Sequence, residues 1–230
     1  MAGRPPGRTE KGAQMEAHLY RTALASFAEQ GFEQTSMRQL AKAAGVSPGL
    51  LYRYFPSKHA LVLRLYTELS QSLAAQDLAP GTWSERAEQA TALSLETLRP
   101  HRQTLRALLG VLLGVGEDSL FGTNTTTARQ AVLSVFHRAI DQASTEVRAP
   151  QETALLAYFL HMAVLLFWLL DKSPEQEAST TLRGLIPWRG LALAIKLPGS
   201  GVLVKGLAGC LQRGLLGEPD EQSTELLSQQ

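Results

Sequence analysis

The sequence predicts an all-α fold, an N-terminal three-helix domain followed by a larger helical one, and three observations carry that expectation. Apolar residues recur at three- and four-residue spacing along most of the 230 residues. Capping hydroxyls, glycines and prolines punctuate the chain at helix-length intervals. No segment sustains the two-residue alternation of a half-buried strand. With 44% hydrophobic residues, the chain can bury a core in one large domain or two smaller ones.

The elements follow in order. "MAGRPPGRTEKG" is polar and rich in Pro and Gly, with no apolar stretch behind it, so residues 1–12 read as a flexible arm, not a signal peptide. A first helix over 13–30 has Met15, Leu19, Ala23, Leu24 and Phe27 on one face, and Gly31 ends it. Ser36 with Gln39 makes a capping box for a short second helix that stops at Gly45. Ser47 as cap and Pro48 as first helical residue open a third, which Phe55-Pro56 closes. Ser57 caps a fourth, to about Ala75. "QDLAPGTWS" reads as the boundary or linker. Beyond it helices are expected over 84–98, 101–115, 126–147, 151–170, 174–186 and 201–216, with a less regular piece between Pro187 and Pro198. The resulting division is arm 1–12, first domain 13–58, second domain 59–217, and acidic tail 218–230.

The net charge of +1 hides an asymmetry. Residues 1–58 hold eight Lys and Arg against four Asp and Glu, and the remainder holds fourteen against seventeen. A basic first quarter points to a polyanion such as nucleic acid, or to a plain solvated face. The single cysteine, Cys210, excludes an internal disulfide and suits a reducing, cytoplasmic setting. Its apolar neighbours Leu207, Ala208 and Leu211 suggest a buried, inert thiol. "ALLAYFLHMAVLLFWLL", residues 154–170, is barely long enough to span a bilayer and carries His161 at its middle. It reads as a helix buried in a core or subunit interface, with a membrane-associated protein as the alternative.

Two short helices joined at a glycine form a helix-turn-helix. Leu40 packs inward, Ala41 is small where the helices approach, Gly45 takes positive φ, and Val46 and Leu51 anchor the second helix. Ser47, Pro48, Gly49, Tyr52 and Arg53 then face outward, where such a helix lies in the major groove. Tyr52 offers a ring to a thymine methyl, and Arg53 reaches a phosphate or a guanine. Tyr54 can donate to a phosphate. A cation at the start of a helix, Lys58, makes sense with a phosphate placed there. Thr35 and Ser36 begin the preceding helix and are candidates for the opposite strand.

The stretch "TSMRQLAKAAGVSPGLLYRYFPSKHAL", with "FAEQGFEQTS" before it, resembles the N-terminal region of TetR-family transcriptional regulators. The matching residues are Gly31-Phe32, Thr35-Ser36, Gly45-Val46-Ser47, Leu51-Tyr52, Tyr54-Phe55 and Ser57-Lys58, in order. The resemblance implies DNA contacts from Thr35, Ser36, Ser47, Pro48, Gly49, Tyr52, Tyr54 and Lys58. Arg53 stands at a variable position and rests on geometry alone. His59 replaces the acidic residue common after the lysine. The resemblance further implies an all-α homodimer whose C-terminal domain binds a small molecule, and two recognition helices in such a dimer would read near-palindromic double-stranded DNA.

The expected function is therefore a sequence-specific repressor released from its operator by a small apolar ligand. An activator, or a regulator without an inducer, is the alternative, and behind it a helical enzyme or a membrane-associated protein. His101, His137, Tyr158, His161, Met162, Phe167 and Trp168 are the visible ligand candidates, each also readable as core or surface. No cofactor, catalytic residue or metal site is expected. "PGSGVLVKG" fails as a phosphate loop, because Val204 replaces a needed Gly and Gly206 follows Lys205. His137 and Asp141 share a helix face, but two ligands do not make a metal site.

Overall fold

In the computed structural model, which describes residues 10–147, 149–185, 188 and 200–216, every regular element among the described residues is helical. The helices are α1 (Glu10–Gln30), α2 (Met37–Ala43), α3 (Pro48–Tyr54), α4 (Lys58–Ala74), α5 (Trp83–Leu98), α6 (Arg102–Ala107), α7 (Leu109–Leu112), α8 (Thr126–Asp141), α9 (Pro150–Leu170), α10 (Glu177–Leu185) and α11 (Ser200–Leu211). Three expectations lie outside the described residues: an arm over 1–9, a tail over 218–230, and most of the piece between Pro187 and Pro198. Residues 10–12 of the expected arm are already helical.

The chain divides into two compact units, and the division is not the expected 13–58 and 59–217. One unit takes residues 1–65 and 101–114, and the other takes 66–100 and 115–230. The first break falls inside α4. In the first unit Leu19, Ala23, Phe27, Leu40, Ala41, Leu51, Leu61, Val62 and Leu65 are almost wholly buried. The segment after α5 returns to this unit and lays α6 on α1, with Gln103 Nε2 donating to Ala28 O at 3.2 Å. The expected single helix over 101–115 is broken, because Leu108 sits at φ −92°, ψ 0° between α6 and α7.

The second unit centres on Phe136, Val135, Ala154, Ala157, Tyr158 and Trp188. "QDLAPGTWS" lies within it and is no boundary. Thr82 and Glu85 form a full capping box at the start of α5. Arg86, 3% exposed, fastens the turn before it. Its guanidinium donates to Leu78 O, Ala79 O, Ala139 O, Arg138 O and Gln142 Oε1, at 2.8–3.2 Å. Arg138 Nη2 in turn donates to Ala74 O at 2.7 Å, satisfying a carbonyl at the end of α4. Helix α9 is long and apolar enough to cross a membrane, yet half of its most apolar window is buried in the fold. Thr153 and His161, each 1% exposed, are among the residues it buries. Cys210 is exposed, against expectation, because α11 packs through Val204 and Ala208.

Candidate nucleic-acid interface

The α2–α3 pair is built around one sharp turn. Ala44 N–H donates to Leu40 O at 2.9 Å, Gly45 N–H to Lys42 O at 3.1 Å, and Val46 N–H to Ala41 O at 2.9 Å. Gly45 stands at φ +68° with open space around its Cα, so backbone conformation and not crowding calls for glycine. Gly31, at φ +88°, closes α1 in the same way. His18 Nε2 lies 3.2 Å from Ala44 O and ties α1 to the turn.

Both short helices are capped as their sequences demand. Ser36 Oγ accepts from Gln39 N–H, and Gln39 Oε1 accepts from Ser36 N–H. Ser47 Oγ accepts from Leu50 N–H at 3.2 Å, ahead of Pro48. Leu51 and Phe55 face the core. Ser36, Ser47, Pro48, Gly49, Tyr52 and Arg53 are all exposed, Tyr52 at 50%. Tyr54 is half-buried.

Two candidates stand differently from their sequence reading. Thr35 is 1% exposed and its hydroxyl donates to Gly31 O at 2.7 Å. That side chain locks the α1–α2 loop and is not presented to a ligand. Lys58 was expected to need a phosphate. Its Nζ instead donates to Phe32 O at 2.8 Å and Thr35 O at 3.3 Å, and lies 4.2 Å from the Phe32 ring centroid. Loop carbonyls and a π-face supply the negative potential at the start of α4. His59 packs edge-on against the same ring at 5.1 Å.

Sequence reading passed over Arg38 and Lys42. Both are exposed, one turn apart on α2, opposite the buried Met37, Leu40 and Ala41. Their spacing relative to the apolar positions was the available signal.

The seven ligand candidates do not gather. His101 belongs to the first unit and the other six to the second. Tyr158 and His161 flank the Phe136 ring at 6.3 and 5.2 Å. His161 Nε2 lies 3.4 Å from Ser94 Oγ, and burial pushes its pKa down to about 4. Burial pushes the Tyr158 phenol up to about 12, with Arg129 pulling the other way. His137 and Met162 are partly buried, and Phe167 is 41% exposed. The Trp168 indole N–H donates to Gln176 Oε1 at 2.8 Å.

The family model for bacterial regulatory proteins of the tetR family matches residues 19–65. Over 70 residues the chain is 41% identical to the nucleoid occlusion factor SlmA of Haemophilus ducreyi, covering 30% of this chain and 33% of that protein. It is 38% identical over 100 residues to SlmA of Actinobacillus pleuropneumoniae serotype 5b, covering 40% and 48%. It is 39% identical over 66 residues to the HTH-type transcriptional regulator AcrR of Shigella flexneri, covering 28% and 30%. The chain thus spans about a third to a half of the length of the curated relatives it matches. Among solved structures, a tetR-family regulator from Streptomyces coelicolor aligns over 94% of this chain and 100% of its own, at TM-score 0.56 and 21% identity. Salmonella enterica GusR aligns over 91% and 98%, at TM-score 0.57 and 19% identity. Likeness at that identity speaks to the fold alone.

Proposed function

We propose that this chain is a DNA-binding transcriptional regulator of the TetR family and acts as a repressor: a cytoplasmic homodimer that holds a near-palindromic operator and is released by a small molecule bound in its second unit. The observation that carries the reading is the outward face of α3. Ser47, Pro48, Gly49, Tyr52 and Arg53 project from a helix whose opposite side, Leu51 and Phe55, is locked in the core. In this reading Ser47 to Gly49 approach the bases, Tyr52 and Arg53 read them, and Tyr54 and Ser36 meet the backbone beside Arg38 and Lys42. Tyr52→Ala tests it. Operator affinity is expected to fall by about 1–3 kcal/mol with little change on random duplex; equal losses on both would make Tyr52 a packing residue.

Exposed apolar residues support the dimer. Val202, Leu203 and Leu207 on α11 are 78%, 77% and 56% exposed, and Phe167 and Leu170 on α9 are 41% and 51% exposed. A second copy would cover them and supply the second α3 that a near-palindromic site needs. Connectivity supports ligand control, since α4 begins in one unit and ends in the other and the chain re-enters the first unit at His101. A ligand that favours another setting of α4 would lower operator affinity by about 1–3 kcal/mol, and linkage requires DNA to weaken the ligand equally. The likeness to SlmA spans a third to a half of that protein, and the role in its name is not carried to this chain.

A further inference from the structure

The second unit holds a cleft of about 190 Å³ that DNA binding does not use. Drug-sized pockets run from about 300 Å³ upward, so this space suits a single-ring molecule. Leu95 and Trp168, 6% and 4% exposed, give it apolar walls. Arg99, at the end of α5, and Arg183, on α10, line it as well. Among the described residues, no hydrogen bond or ion pair holds either guanidinium. Among the described residues, Glu175 is the one carboxylate in the lining, against the two arginines.

The lip is set in advance. Glu175 and Gln176 stand at φ 48° and 61°, a left-handed pair that non-glycine residues seldom adopt without support from their surroundings. That support is visible. Gln176 accepts from the Trp168 indole, and Asp171 accepts from the backbone and hydroxyl of both Ser173 and Ser179. The hydrogen bonds from Ser179 and Ser173 hold the Asp171 carboxyl well below the usual carboxylate range. Two guanidinium groups without a partner among the described residues, beside a fixed indole, match a carboxylate attached to a ring.

We propose that this cleft binds small ring-bearing carboxylates, with the acid on Arg99 and Arg183 and the ring against Leu95 and Trp168. The effector expected from sequence as apolar becomes an organic acid; that role, unlike the binding itself, rests on the ligand-controlled reading above.

Calorimetry on the full chain without DNA tests the site, with benzoate as probe and benzamide as its neutral counterpart. Benzoate is expected to bind once per protomer, and benzamide about tenfold more weakly or worse. Arg183→Gln and Arg99→Gln are each expected to weaken benzoate about tenfold, and Glu175→Gln to tighten it. No benzoate binding up to about 10 mM, equal binding of benzamide, or arginine variants matching the parent would overturn the site. Thermal melts confirm that each variant folds; if Arg183→Gln does not, Arg99→Gln and the benzamide comparison decide. Operator affinity is measured separately with and without benzoate. Benzoate that binds without moving operator affinity leaves the site standing and removes ligand control. A protein that binds no operator contradicts the DNA reading while calorimetry still decides the site.

Discussion

Lys58 satisfies two carbonyls, Phe32 O and Thr35 O, that no helix reaches. Its ammonium thereby fixes the loop leading into Ser36, the N-cap of α2, one residue after Thr35. An ammonium has three protons, and two are directed at these carbonyls. Lys58→Met keeps the stem and removes the donors. It is expected to lower Tm by a few degrees and weaken operator and random duplex alike, with the log affinity–log salt slope falling by less than about one unit per protomer. A fall of a full unit at unchanged Tm would make the ammonium a phosphate ligand. Arg86 is the matching anchor in the second unit. Arg86→Ala strands several buried carbonyls and is expected to cost about 3 kcal/mol in denaturant unfolding; a loss under about 1 kcal/mol would contradict that role. His161 carries a pH signature. Its pKa is about 4 folded against 6.5 for a free imidazole, so its neutral form favours the folded state. That contribution is complete above pH 6.5 and is lost as pH falls toward about 4, where the unfolded chain binds the proton and the folded one does not. His161→Leu is expected to flatten stability against pH in this window. An unchanged slope would show that other groups set it.

Among the elements, α11 offers the clearest test. Leu203 is 77% exposed, so Leu203→Asp removes little from the protomer's own core. It is expected to yield folded monomers by light scattering, with operator affinity reduced at least about 100-fold; an intact dimer would place the interface elsewhere. Short, capped helices were the legible part of the sequence. Ser36 with Gln39, Ser47 before Pro48 and the glycine at 45 each act through neighbours within four residues. The break at Leu108 and the return of α6 to α1 were not legible, because distant packing decides them. "QDLAPGTWS" misled for the same reason: its turn residues are genuine, but Arg86 holds the turn inside a unit. At the interface, periodicity correctly placed Tyr52 and Arg53 outward. It could not show that Thr35 is spent on Gly31 O or Lys58 on two loop carbonyls, since those partners lie across a loop.

For the whole molecule, the chain joins a DNA reader to a second unit through α4 and again where it returns at His101. Regulation in this scheme needs no new contact at DNA, only a ligand that favours one setting of those connections. Whether the α2–α3 face reads a specific sequence is decided by capture of DNA. Genomic fragments captured by the full chain are sequenced, and affinity for the recovered site is compared with affinity for random duplex at one fixed salt concentration. A near-palindromic site is expected, bound at least about 10³-fold more tightly than random DNA, with most of that ratio lost in Tyr52→Ala. Fragments without a shared sequence, bound no more tightly than random duplex, would contradict it.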